Sequence, residues 1–168
     1  MDQSRIGSLY ETHVVGARRL AYLLTGNHAE AEDLVQDAFV RVAVRLADLR
    51  DPSRFPSYLN RTLVTMAASR HRRRKTEKVA LQRSVSLERQ AYASADSDGH
   101  LWLTLQTLPA RQRAAIVLRF YQDLTEDQIS EAMNCPRGTV KSLIFRGLRS
   151  MRTSLGSDTD EITAASGS

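Results

Sequence analysis

The sequence predicts an all-α protein of two small helical domains joined by a flexible linker. Three observations lead there. Apolar residues recur at helical spacing through most of the 168 residues, and no run alternates long enough to argue for a sheet. A polar, Ser-rich stretch at 76–99 separates two such periodic units. Each unit also contains a helix-start pair, Asn27 with Glu30 and Thr125 with Gln128, spaced as a capping box.

Ile6, Leu9, His13, Ala17, Leu20 and Leu24 form the apolar stripe of a first helix, which Gly26 ends. Asn27 caps a second helix that buries Ala31, Leu34, Val35, Ala38, Val42 and Leu46 and leaves Phe39 on another face. Asp51-Pro52-Ser53 breaks it. A third helix opens at Phe55 or Pro56, buries Leu59, Leu63, Met66 and Ala67, and runs into the basic block Arg70–Lys75. The first domain is therefore 1–75 and the linker 76–99, with transient helix at 81–90. In the second domain, 100–153, Leu101, Leu103, Leu105 and Leu108 precede Pro109, a residue suited to a helix first turn. Ala114, Val117, Leu118 and Tyr121 make the inner face of the next helix. Thr125 opens a short helix to Met133, and Asn134-Cys135-Pro136 turns the chain into a last helix carrying Val140, Ile144 and Leu148. The acidic stretch 154–168 reads as a disordered tail.

Composition removes several classes. Hydrophobic residues make up 42% and charged residues 26%, which suits a globular chain rather than a wholly disordered one. No uncharged apolar run reaches the ~18 residues that a membrane span needs. Residues 1–16 do not read as a secretory signal. Cys135 is the single cysteine, so an internal disulfide is impossible and a cytoplasmic location is expected. His13, His28, His71 and His100 are scattered, so neither a metal nor another cofactor is expected. No nucleophile motif or phosphate-cradling glycine loop is present, so the chain does not read as an enzyme with a small-molecule substrate. Glu32 and Asp33 are not a metal pair, because adjacent helical residues point about 100° apart.

Charge is sorted by position. The net excess is only +5. Residues 26–40 hold Glu30, Glu32, Asp33 and Asp37 with no base. Residues 54–78 hold six arginines and two lysines against Glu77 alone, and 137–152 hold Arg137, Lys141, Arg146, Arg149 and Arg152 with no acid. The acidic helix, with apolar residues among its carboxylates, suits a protein interface. On the third helix Tyr58, Asn60, Arg61, Thr65 and Ser69, followed by Arg70, Arg72, Arg73 and Arg74, suit unstacked bases and single-stranded backbone. Leu124–Arg149 reads as a helix-turn-helix. Its second helix offers Arg137, Thr139, Lys141, Ser142 and Arg146 to the major groove and Arg149 to phosphate.

These segments together resemble the extracytoplasmic-function (ECF) sigma factors, small bacterial members of the sigma-70 family. The first domain is similar to sigma domain 2 through Ala29–Val42, Phe55-Pro56-Ser57-Tyr58-Leu59 and Arg70–Lys75. The second is similar to domain 4 through Leu108–Arg113, Leu118–Tyr121, Leu124–Ile129 and Cys135–Ser142. The wording around Tyr58–Arg74 resembles actinobacterial versions. The resemblance implies a subunit that directs core RNA polymerase to promoter DNA. Glu32, Asp33, Gln36, Asp37, Val40 and Arg41 would meet the polymerase clamp. The third helix would capture the −10 element, and the last helix would read the −35 duplex. It further implies an anti-sigma factor as partner and a cytoplasmic protein, nucleoid-associated when in holoenzyme. Family patterns often place Trp at Tyr58, Asn at Thr65 and Arg at Leu143. The last difference implies one base contact fewer at −35. The alternative is a helix-turn-helix regulator acting on duplex DNA without polymerase, which leaves the acidic helix and Arg70–Lys75 unexplained.

Overall fold

Seven α-helices carry the chain in a computed structural model that describes residues 3–46, 51–80 and 97–165. No strand occurs among the described residues, and none of these helices is long and apolar enough to cross a membrane.

Helix α1 (Gln3–Thr25) buries Ala17, Leu20 and Leu24 of the expected stripe with Val14 and Ala21 beside them, and leaves Ile6, Leu9 and His13 half-buried. It ends where Gly26 takes a φ of 73°, a left-handed conformation that glycine reaches without a Cβ clash. The Asn27 side chain then accepts from the Glu30 amide at 3.0 Å and starts α2 (His28–Leu46). The capping box itself is not completed, because the Glu30 carboxylate pairs with Arg74 of α3 instead. The inner face of α2 is Ala31, Leu34, Val35, Ala38 and Val42, as expected; the Leu46 side chain lies outside the described residues. Phe39 differs from expectation. It is buried, with its ring edge-on to Tyr10 at 4.7 Å and 6.1 Å from Phe55, because a ring beside the Val35 row reaches the core that a smaller side chain would miss.

A 3-10 turn (Pro52–Arg54) leads into α3 (Phe55–Ala80), which buries Phe55, Leu59, Leu63, Val64 and Met66 against α1 and α2. Hydrogen bonds from Ser53 hold the Asp51 carboxyl below its ordinary range at this turn. The third helix continues past 75 into the segment read as linker. No Gly or Pro stands between 76 and 80, so nothing there ends a helix already nucleated. The expected transient helix at 81–90 falls outside the described residues. Helix α4 (Ser97–Thr107) takes the last residues of that linker.

Pro109 is the N-cap of α5 (Ala110–Ile116) rather than its first turn, with an extended ψ of 141°. The chain then widens into a π turn, Val117–Tyr121, where the Gln122 amide reaches back to the Val117 carbonyl at 3.2 Å. The extra residue in that turn rotates Tyr121 out of the core, so the expected inner position is exposed while Val117 and Leu118 stay buried. Helices α6 (Glu126–Met133) and α7 (Arg137–Ala165) complete the second unit. The complete capping box predicted at Thr125 and Gln128 starts α6. Asn134 ends it in the left-handed region at φ 49° and ψ 52°.

The core stripe of α7 is Val140, Leu143 and Met151, with Gly147 buried between them and Ile144 packed at its edge. Leu148, expected inside, is exposed; α5 lies against α7 at Gly147, so the stripe rotates that way. The expected disordered tail is helical through Ala165. A helix anchored at Met151 is already nucleated, so each further residue gains a hydrogen bond for the freedom it loses.

The two units share one hydrophobic core cluster. Helix α3 packs on α6, and α1 touches α5. Asn60 Nδ2 donates to Gln122 Oε1 across this seam at 3.3 Å, and Gln106 Nε2 donates to the Leu23 carbonyl at 3.2 Å. Gln106 also accepts from Arg113, whose side chain is 7% exposed and whose Nε finds no partner among the described residues. Burial lowers the pKa of that guanidinium, because desolvation disfavours its charge.

Candidate protein and nucleic-acid interfaces

Burial of one face of α2 leaves the opposite face as a stripe. Asp33, Gln36, Asp37, Val40 and Arg41 are exposed along it, and Glu32 sits half-buried at its start. All six expected interface residues therefore share one surface. Val40 is 65% exposed amid charge, an apolar side chain without an intramolecular reason to be outside. Val44, which the sequence reading passed over, continues the row one turn on.

That row runs into a groove of about 730 Å³ between α2 and α3. Val40, Arg41, Val44 and Arg45 form one wall, and Tyr58, Arg61, Thr62, Thr65 and Met66 the other. The Tyr58 hydroxyl accepts from Arg45 Nη1 at 3.1 Å, so the aromatic ring is held at the groove wall by a cation of the facing helix. Arg45 was missed from sequence. Its signal was the spacing of one helical turn from Arg41, but its partner is 13 residues away in the chain. An aromatic ring, three arginines and small hydroxyls around an open cleft suit a splayed base and its phosphate.

The remaining α3 residues divide. Thr65 donates to the Arg61 carbonyl at 2.8 Å and is exposed at the groove. Asn60 faces the seam and bonds Gln122, so the structure separates it from the groove. Ser69 accepts from Arg72 at 3.2 Å, and these two share a shallow cleft with Arg73. Arg70 and Arg74 are occupied by acids of α2. Arg70 Nη2 lies 2.6 Å from Asp37 Oδ2 and Nη1 reaches the Glu30 carbonyl, while Arg74 pairs with Glu30. The positive and negative blocks thus meet each other along the α2–α3 contact.

In the second unit the exposed face of α7 presents Arg137, Lys141, Ser142, Arg146 and Arg149, with Thr139 half-buried. Arg137 Nε lies 2.9 Å from Glu126 Oε2 and its Nη1 lies 3.3 Å from Asp127 Oδ1. The hydrogen bond from Arg137 holds the Glu126 carboxyl below its ordinary value, and the same bond raises the guanidinium pKa. Arg146 Nε donates to the Ser142 carbonyl, bending its head along the helix. Phe145 stands 66% exposed within this basic face, a position sequence reasoning passed over. An exposed ring there can meet a thymine methyl. Leu143, at 5% exposed, belongs to the core and offers no side chain to this surface.

A helical unit with an acidic-apolar stripe beside an open groove, followed by a basic helix-turn-helix, suits a promoter-reading subunit of transcription. Known proteins agree. Residues 9–77 match Sigma-70 region 2, and residues 100–151 match Sigma-70, region 4. The ECF RNA polymerase sigma factor SigW of Bacillus subtilis is 27% identical over 92% of this chain and 90% of its own length. SigE of Mycolicibacterium smegmatis, also an ECF sigma factor, is 32% identical over 95% of this chain and 66% of its own. Among solved structures, the sigma factor RpoE in complex with the anti-sigma factor NepR from Bartonella quintana superposes with a TM-score of 0.72. It shares 25% identity, over 89% of this chain and 96% of that one. CnrH, solved with the cytosolic domain of CnrY, has the same fold with a TM-score of 0.68 at 22% identity over 94% of this chain and 91% of that one. The chain belongs to the sigma-70 family, in its extracytoplasmic-function group. It is a sigma factor that directs promoter-specific transcription with RNA polymerase.

Proposed function

We propose that the work is divided among three surfaces. The α2 stripe of Glu32, Asp33, Gln36, Asp37, Val40 and Arg41 docks on the polymerase clamp. The α2–α3 groove, with Tyr58, Arg61 and Thr65, takes an unstacked base of the −10 element. Asn60, Ser69, Arg70, Arg72, Arg73 and Arg74 follow the backbone of the opened strand. Helix α7 reads the −35 duplex with Arg137, Thr139, Lys141, Ser142 and Arg146, and Arg149 holds phosphate. Unstacking a base costs a few kcal/mol. The chain carries no fuel, so docking and phosphate contacts supply that energy, and the chain itself is no enzyme.

The single observation that carries this reading is the continuity of the stripe with the groove: Val40 and Arg41 belong to both. A polymerase seated on the stripe would hold the groove beside the DNA it opens. A regulator acting on duplex DNA alone would have no use for either. The protein would work in the cytoplasm, joining the nucleoid as holoenzyme. An anti-sigma factor, as bound to RpoE in the similar structure, would silence it by covering these surfaces.

Reversing Asp33 and Asp37 to Lys tests the division. Pull-down with core polymerase and run-off transcription should fail together, while the isolated variant keeps its helical circular dichroism. Normal core binding by the folded double variant would refute the docking surface.

A further inference from the structure

The geometry at the mouth of the helix-turn-helix points to a role for Glu126, a residue outside the expected reading set. We propose that Glu126 is a specificity-determining positioning residue, which fixes the Arg137 guanidinium so that only its two-pronged end is offered to a base pair. The inference rests on −35 reading by α7 and adds to it the acid that orients the reader.

Glu126 is the first residue of α6, and Thr125 locks that start through both bonds of its capping box. The carboxylate is therefore mounted on a fixed backbone. Its Oε2 lies 2.9 Å from Arg137 Nε and 3.8 Å from Lys141 Nζ, and the side chain is less exposed than either cation. Asp127 Oδ1 takes Arg137 Nη1 at 3.3 Å from the neighbouring position. A guanidinium has five N–H donors in a rigid fork. With Nε and one N–H of Nη1 occupied, both N–H of Nη2 and one of Nη1 stay open. One N–H from each of these two nitrogens matches guanine O6 and N7. The side-chain freedom an arginine ordinarily loses on binding is then lost in folding.

The same carboxylates have a second effect. They sit beside the reading cations and oppose the general pull of phosphate, which carries no sequence information. Removing Glu126 should therefore raise affinity for any duplex while lowering the ability to choose. A residue that only stabilised the fold would lower both.

The test uses holoenzyme made with the full chain on a promoter whose start has been mapped with the wild-type protein. Transcription is measured over all single base-pair changes of the −35 element for wild type, Glu126→Gln, Glu126→Ala and Arg137→Ala. Glu126→Gln is expected to lose about tenfold discrimination, the scale of one bidentate contact, at the same one or two base pairs that Arg137→Ala affects. Binding to unrelated duplex, read by fluorescence anisotropy, should rise a few-fold. The double variant Glu126→Gln with Arg137→Ala should lose no more than Arg137→Ala. An unchanged discrimination profile, or an even loss at every position together with a lowered melting temperature, overturns the positioning role. If Arg137→Ala and Lys141→Ala leave every position unaffected, base reading by this end of α7 is itself refuted, and the role of Glu126 with it.

Discussion

Asn134 turns the chain between α6 and α7 with both dihedrals positive, and its amide still reaches the Glu131 and Ser130 carbonyls. Asparagine tolerates this region better than other side chains, and glycine better still. Asn134→Gly should keep urea stability within about 0.5 kcal/mol, since relief of the turn is offset by a more flexible unfolded chain. Asn134→Val should lose about 1–2 kcal/mol, because a β-branched side chain clashes in this conformation. Equal stability of the two would remove the left-handed turn from the account. This turn was legible in sequence: Asn between a short capped helix and Pro136 leaves few other conformations. The other left-handed residue that is not glycine among the described residues, Asp123 at φ 51°, was not. It follows from the π turn before it, and a single extra residue in a turn has no signature of its own in the sequence.

Helical periodicity identifies an amphipathic element but fixes its facing only as well as its neighbours allow. In α7 Gly147 is buried where α5 comes close. A Cβ built there would lie 2.5 Å from Ile116 Cδ1 and 3.5 Å from the Gln112 Cβ. The two helices thus meet closely enough that a Cβ at 147 would have to displace the end of the Ile116 side chain. Gly147→Ala should cost up to about 2 kcal/mol, the overpacking penalty of ~1–3 kcal/mol less the ~1 kcal/mol by which alanine favours a helix interior over glycine. Shortening the obstructing side chain with Ile116→Val should recover part of it, which a double-mutant cycle of thermal unfolding would read. Additive losses would mean the two positions do not meet. The reading of α7 from its sequence placed Leu148 inside. Apolar residues stand at 143, 144, 145 and 148, enough for more than one stripe, and contact with α5 decides among them.

At the scale of the whole molecule, the structure pairs what the sequence separates. Asp37 holds Arg70, Glu30 holds Arg74 and Glu32 lies 2.9 Å from Arg18, so part of the local charge is neutralised within the first unit. The seam adds a further constraint. Thr65 and Arg72 line the same cleft as Ala132, Met133 and Asn134, and Arg61 shares another with Gln128 and Glu131. An opened DNA strand along α3 and helix α6 cannot occupy this face together. Core polymerase with promoter DNA should therefore separate the units. The single native cysteine, Cys135, lies on the α6–α7 turn and supplies one label site; Glu77→Cys on α3 supplies the other. Pulsed electron spin resonance should show the distance between them lengthen on forming the promoter complex. An unchanged distance would mean that DNA reaches the protein without opening the seam.

The sequence by itself determined the cores of the helices, the caps at Asn27 and Thr125, the turn at Asn134 and the sorting of acidic and basic blocks. Those features depend on neighbours within a turn or two of chain. Tertiary structure decided what no local pattern encodes. It set the rotation of α7 that buries Leu143, and it joined Val40 and Tyr58 across one groove. It also tied Arg137 to Glu126 and packed α3 on α6. Each is a contact between residues distant in the chain, chosen by the shapes and charges that fit once the helices have formed.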